Sequence, residues 1–501
     1  MSPPVFFGSA LLVVGFSVFG GAFTETASSW FSQLQQGITE TFGWYYALAT
    51  TLFLIFSVWL MTSRFGGIRL GPPDARPSFG YPAWFAMLFS AGMGIGIVFW
   101  GVAEPLHHYL NPLFGETASP EAARKAMQYT FLHWGLHPWA IYIVMSVAIA
   151  YFHFRRGLPL APRSTLYPLI GERIHGTLGH GVDILSTVGT LLGVATSLGL
   201  GAMQINAGLA ESFGVAENTP IRILVIALIT FVATLSVVSG IQAGIRRLSL
   251  FNLGLAGMLM LFVLVMGPTV YLAEVLVGST GLYFQHLPLM SLFVEFGRES
   301  EWQSTWTLFY WGWWIAWSPF VGVFVARISR GRTIREFVFY VLLIPTLGTF
   351  VWLAVFGGAA MHVELFEGGG LAAQVKENVS VSLHALLSHL PGTAITQLWA
   401  TLVIILFFIT SSDSGSLVDD MVTSGGHPNP PRIQRVFWAL AEGTVAAILL
   451  LVGGLRAIQD LSISLGFLMS ILLLLACWSL IRGLREEYPP VGQKQRKGNR
   501  R

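Results

Sequence analysis

Twelve stretches of the chain are apolar over the ~20 residues that a helix needs to cross a bilayer. They fall at about 4–25, 44–63, 82–109, 125–152, 182–211, 220–239, 249–272, 303–326, 336–357, 383–418, 433–453 and 459–481. The stretches that begin at 82 and 383 are long and interrupted by Gly or Ser, which predicts tilted or broken helices. Residues 273–302 are too polar and interrupted to span, and predict a helix lying on the outer surface. Val5 to Phe23 is apolar with no Lys or Arg before it, so it reads as a retained first helix rather than a secretory leader.

Composition agrees with this pattern. Hydrophobic residues make up 54% of the chain and charged residues 11%, against ~25% charged in soluble domains. The net charge of +3 is no nucleic-acid footprint, but its placement is informative. With the first loop outside, 22 Lys and Arg fall on the inner side, among them Arg155, Arg246, Arg330 and the cluster after Arg482, and 6 on the outer side. That alternation predicts twelve spans with both termini cytoplasmic. The lone cysteine, Cys477, excludes a disulfide within the chain.

Several residues are foreign to a plain membrane helix. Gly92, Gly94 and Gly96 in the third stretch either let helices pack closely or mark an unwound segment whose carbonyls line a cavity. Trp134, Trp139 and Tyr142 share a broad face of the fourth stretch, with Pro138 expected to bend it. His133 and His137 stand at i, i+4, but no third ligand completes a metal site. The eighth stretch carries Trp313, Trp314 and Trp317 mid-span within ~100° of the helical wheel. Interfacial tryptophans explain that cluster poorly, and a ligand-facing box explains it better. An aromatic box suits a cation whose charge is spread over methyl groups, each ring adding ~0.5–2 kcal/mol, and it avoids burying a counter-charge at the midplane. In the tenth stretch, Phe407, Thr410 and Ser411 offer oxygens for a hard cation, unless the hydroxyls cap their own helix. Asp413 and Glu104 are candidate proton carriers. No nucleophile elbow accompanies the serines, so an enzyme is not expected.

The segments GMGIGIVFWGVAEPL, HWGLHPWAIY, GVATSLGLGAMQIN, WGWWIAWSPFVGVFVARISRGRTIREF and FFITSSDSGSLV occur in that order. Together they resemble the betaine/choline/carnitine transporter family over nearly the whole chain, in wording closest to its choline-type members. The resemblance implies an all-α polytopic membrane protein of twelve transmembrane helices around two inverted five-helix repeats. These would be 82–272 and 303–481, with peripheral spans in 1–81, a surface helix in 273–302 and a short basic tail in 482–501. It implies a homotrimer to which the surface helix contributes, in contact with membrane lipid.

By the same resemblance, Trp134, Trp139, Tyr142, Trp313, Trp314 and Trp317 form the substrate box. Carbonyls near Ser90 and Met93, the carbonyl of Phe407 and the hydroxyls of Thr410 and Ser411 form a cation site. The family's second sodium site would need a hydroxyl where this chain has Val194, beside Thr190 and Phe320, so proton coupling or a single sodium is expected. The implied function is import of choline or glycine betaine, an osmoprotectant, across a bacterial inner membrane by alternating access. The cargo travels with H+ or Na+ and no resident cofactor. The alternatives are a trimethylammonium exchanger, or a receptor or channel that binds such ligands without accumulating them.

Overall fold

The computed structural model describes the chain except residues 93, 240–241, 296–300, 428–429 and 489–501, and the side chains of 90–92, 236–239 and 242–247. Among the described residues the regular structure is helical throughout, without a β-strand. The chain opens with α1 (Pro3–Ala22) and α2 (Thr24–Thr62). The half-helices α3 (Tyr81–Gly92) and α4 (Ile95–Leu110) follow, then α5 (Pro120–Trp134) and α6 (Leu136–Arg156). A short α7 (Tyr167–Ile170) leads to α8 (Thr177–Phe213), α9 (Thr219–Ser239), α10 (Gln242–Met266) and α11 (Thr269–Ser291). A π-helical turn at Ser304–Leu308 then runs into α12 (Phe309–Ile328). The chain continues with α13 (Ile334–Phe366), the short α14 (Leu371–Glu377) and α15 (Ser382–Ser388), and ends with α16 (Thr393–Thr423), α17 (Arg432–Val452) and α18 (Leu455–Glu487).

Among the described residues ten helices are long and apolar enough to cross a membrane, counting α5 with α6 as one. Of the twelve expected spans, the third is split into α3 and α4, and the apolar stretch 219–235 within α9 falls just short. Both interrupted stretches are indeed broken, the later one at 389–392, where Gly392 takes a positive φ of 74° ahead of α16.

Three details differ from the sequence pattern. Residues 26–43, polar enough to read as a loop, are helical within α2. Ala27, Phe31 and Gln35 recur every fourth residue and bury one stripe of that extension, and Ser32 Oγ donates to Asp460 Oδ2 on α18 at 2.7 Å. The seventh span stops at Met266 rather than 272, because Gly267-Pro268 ends α10, and α11, in the region expected to lie on the outer surface, begins at once with Thr269. The fourth span is broken at Gly135, not bent at Pro138. Pro138 is the third residue of α6, where a missing N–H deprives no intrahelical bond.

Ends are fixed by local chemistry. Ser119 caps α5 by accepting from Ala122 N at 3.1 Å. Thr333 and Glu336 form a reciprocal capping box at the start of α13. The Arg332 guanidinium bonds Glu336 and also donates to the carbonyl of Phe79 at 2.7 Å, tying the loop before α3 to α13.

At the centre lies α12, with every side chain buried except Phe324 and Arg327. It packs on α6, α8 and α18. The outermost helices are the reverse: Leu11 of α1 and Val270 of α11 are more than 70% exposed, as expected where the surroundings are hydrocarbon. The α12–α18 crossing is closed by glycines. A Cβ on Gly312 would lie 2.6 Å from Ile463 Cα, and one on Gly466 would lie 2.5 Å from Gly312 Cα. These are backbone contacts that cannot yield. Gly312→Ala is therefore expected to destabilise the protein by about 1–3 kcal/mol, read as a lower thermal midpoint in detergent. Gly15→Ala, with nothing within 4 Å, should leave the midpoint in place.

Candidate functional site

Two breaks in the helices create the site. Between α3 and α4, Gly94 is extended (φ −129°, ψ −157°) and so interrupts the helical hydrogen bonding. A Cβ on Gly94 would sit 3.6 Å from Ser411 Oγ and 4.0 Å from the Trp317 ring. The second break, at Gly135, is held open by α11. The Leu136 N–H, freed at the start of α6, donates to the Tyr283 hydroxyl at 3.0 Å. Trp134 thus ends one helix while Trp139 and Tyr142 lie on the next, and across the kink both Trp134 and Tyr142 reach Trp314 of α12.

The six aromatic residues singled out from sequence are all buried and form one contiguous group. Trp313 and Trp314 stack at 4.7 Å and 13°. Trp134 stands edge-on to Trp314 at 4.9 Å, and Tyr142 meets Trp314 at 6.4 Å and 79°. Trp139 reaches Tyr142 at 5.6 Å, and Trp317 reaches Trp313 at 6.4 Å. Gly96 floors the group: its Cβ would lie 2.6 Å from Trp313 and 3.2 Å from Trp134, so any side chain there would displace the rings. Trp311, two residues before Trp313 on α12, turns away and stacks on His137 at 5.1 Å.

Five of the six indole and hydroxyl groups divide into two sets. Trp314 Nε1 donates to His133 O at 2.9 Å and Trp134 Nε1 to Glu104 Oε2 at 2.8 Å. Trp313 Nε1, Trp317 Nε1 and the Tyr142 hydroxyl are buried without partners. They are donors available to an acceptor on a bound molecule.

Glu104 is the polar centre behind the rings. Its side chain is fully buried. Oε1 pairs with His133 Nδ1 at 2.6 Å and His108 Nε2 at 3.2 Å, and Oε2 accepts from the Tyr310 hydroxyl at 2.5 Å as well as from Trp134. Four groups therefore engage one carboxylate, which fits a static anchor. Glu104, His108 and His133 bring ligand atoms within 4.8 Å of one another, but the hydrogen bonds already use the carboxylate, and His133 Nε2 is shared with Thr307 Oγ1 at 3.0 Å. His137 does not join them. The i, i+4 spacing of His133 and His137 is cut by the Gly135 break.

The oxygen-rich stretch lies beside the box. Thr410 Oγ1 donates to Leu406 O at 2.9 Å, close to Phe407 O at 3.2 Å, and keeps lone pairs for a cation. Ser411 faces Gly94 across the break. Met93 and the side chains of Ser90 and Gly92 lie outside the described residues. Asp413 stands apart, 3.7 Å from Arg435 of α17. Thr190, Val194 and Phe320 are buried, with Phe320 against Trp317 at 5.3 Å.

Sequence reasoning passed over Tyr310 and the joint role of His133 and Glu104. Tyr310 lies one turn before Trp314 on the same face, a spacing that could have revealed it. His108 stands at i+4 from Glu104 on α4, but the other partners come from α5 and α12, and no spacing along the chain encodes them.

The description "BCCT, betaine/carnitine/choline family transporter" belongs to a family profile that matches residues 4–489. The chain is similar to an uncharacterized transporter of Mycobacterium tuberculosis, 45% identical over 96% of this chain and 82% of the relative. It is also similar to the glycine betaine transporter OpuD of Bacillus subtilis, 46% identical over 90% of this chain and 88% of the relative. The high-affinity choline transport protein of Escherichia coli is 41% identical over 97% of this chain and 72% of the relative. Relatives named for either headgroup match, so identity does not separate the two.

If Glu104 holds the rings in register, Glu104→Gln, which turns an acceptor edge into a donor facing donors, should weaken ligand binding by about tenfold or more, given ~1.5–3 kcal/mol per hydrogen bond to a charged group. Quenching of tryptophan fluorescence by added choline or glycine betaine measures it. Unchanged affinity would show that the hub does not position the box.

Proposed function

The chain belongs to the betaine/carnitine/choline transporter family, and we propose that it is a secondary active importer of a quaternary ammonium compound, choline or glycine betaine. The observation that carries this reading is the convergence of six buried aromatic side chains from α5, α6 and α12 beside a helix broken at Gly94. A methylated ammonium offers no N–H to an acceptor, and ring faces give it both apolar contact and electrostatic attraction. The unpartnered Trp313, Trp317 and Tyr142 donors suit the other end of the cargo, a carboxylate in glycine betaine or a hydroxyl in choline.

Transport needs the site to open to each side in turn, and broken helices at mid-membrane are where such carriers hold cargo and ions. The cargo is taken to move with a proton or a sodium ion. Thr410, Ser411 and the Phe407 carbonyl, next to the Gly94 break, are oxygens suited to sodium as a co-transported ion. Asp413 and Glu104 are the sequence's candidates for a proton, and of the two Glu104 is the more tightly bound into hydrogen bonds. The bias of arginines and lysines supports a bacterial inner-membrane protein with both termini cytoplasmic. Exposed Val270, Val277 and Phe284 on α11 support a homotrimer built partly through that helix.

Uptake of labelled choline and glycine betaine into proteoliposomes, with sodium and pH gradients imposed separately, tests the reading. Accumulation of at least one cargo under at least one gradient is expected, and none under either would overturn it. Trp314→Leu, which keeps bulk but removes the ring face, should weaken binding by more than about threefold, ~0.7 kcal/mol. A smaller loss would remove the cation–π role of that residue.

A further inference from the structure

One group of charges takes no part in the box. Where α8, α16 and α17 meet, the chain buries four carboxylates, Asp413, Asp419 and Asp420 of α16 and Glu442 of α17, with one guanidinium, Arg435. Arg435 stands 3.7 Å from Asp413 and 3.9 Å from Asp420, within attraction but beyond hydrogen bonding. Among the described residues, no basic group pairs with Asp419 or Glu442.

These two acids meet on one face. Ser412, Gly415 and Asp419 recur at i, i+3 and i+7, and so line one side of α16. Glu442 reaches across from α17 to that side. Its Oε2 accepts from Ser412 Oγ at 3.2 Å. Its Oε1 lies 2.9 Å from where a Gly415 Cβ would be, and Val194 Cγ2 lies 2.8 Å from the same point. That oxygen and both oxygens of Asp419 are buried without any donor. Asp413 and Asp419 act on Glu442 electrostatically from α16, and α17 itself supplies Arg435 seven residues back. Of the other helices packed on α17, α1 contains no titratable side chain, α8 and α9 present Val194 and Thr230 here, and α2 and α18 approach near Gly453.

Two unpaired carboxylates cannot both stay charged in such a place, because the desolvation of each is worth several kcal/mol. A sodium ion would need about six oxygens around it, but beside Glu442 Oε1 the walls are a valine methyl and a glycine backbone. A proton needs no shell. The site is also joined to the box. Gly193, next to Val194 on α8, packs so closely on Trp317 that a Cβ there would lie 2.6 Å from its ring. One turn of α8 therefore packs on Trp317 with Gly193 and, with Val194, on the same Gly415 position that the Glu442 carboxylate approaches.

We propose that Glu442, with Asp419 beside it, is the proton-carrying site of the transport cycle. The Glu442 carboxylate takes one H+ from water on one side of the membrane and releases that H+ to water on the other, and the α8 contact makes its charge state depend on the box. The proposal rests on the reading of the chain as a gradient-driven carrier, and the experiment separates the two.

In sodium-free proteoliposomes, an inward proton gradient should drive accumulation of choline or glycine betaine by the wild-type protein. Glu442→Gln should reduce accumulation by about tenfold or more while cargo counterflow falls less than about threefold. Wild-type accumulation in Glu442→Gln, or wild-type uptake that follows sodium and ignores the proton gradient, overturns the proposal and leaves the carrier standing. A wild-type protein that neither binds nor exchanges either cargo overturns the carrier reading itself. If Glu442→Gln does not fold, Asp419→Asn and the wild type decide. Cargo added to wild-type protein in weakly buffered detergent should change the number of bound protons, read with an indicator dye, and Asp419→Asn should move the pH at which that change is largest. No change at any pH overturns the proposal.

Discussion

A carboxylate removed from water must be surrounded by donors, and the arrangement of the central site follows from meeting that demand at Glu104. Four donors from three helices converge on it, and two of them, Trp134 and Tyr310, belong to the aromatic group itself. His133 adds a second link. Its ring pairs with Glu104 while its backbone carbonyl receives Trp314. Two of the rings are thus oriented by one buried charge, while the Trp313, Trp317 and Tyr142 donors have no partner within the protein. In a medium without water, hydrogen bonds of this kind are costly to leave unmade, which makes the anchor rigid.

Broken helices supply the geometry that the anchor uses. The Gly94 interruption lets the start of α4 approach Trp313 and Trp134 so closely that only Gly96 fits between. The Gly135 interruption turns Trp134 away from the direction of α6, and Tyr283 of α11 satisfies the N–H this exposes. A peripheral helix thereby supports the central site. On the other side, the Gly312–Gly466 crossing brings α12 against α18 at backbone distance and fixes the platform that carries Trp313, Trp314 and Trp317.

Two of the buried charge clusters have opposite characters. Around Glu104 the charge is fully paired, as suits a part that holds its shape. Around Asp419 and Glu442 it is under-paired, as suits a part that changes state. The α8 turn at Gly193 and Val194 lies between the rings and the acid cluster, packing on Trp317 at Gly193 and on the Gly415 position beside Glu442 at Val194.

The sequence alone determined the membrane class, the aromatic residues of the box and the oxygen-bearing stretch of α16, because each is a local property: hydrophobicity over a span's length, or side chains spaced along a single helix. It also flagged Val194 as a departure. It placed the kink at Pro138 because proline is the usual helix breaker, whereas the close backbone and Tyr283 contacts at Gly135 decided otherwise. Only the tertiary structure showed that Glu104 is an anchor, that Tyr310 belongs with the rings, and that Glu442 reaches Ser412 and the Asp419 face from another helix. These are contacts between residues 30 to more than 200 positions apart. Burial and pairing of a charge depend on what other helices bring to it, and that information exists only once the chain has packed.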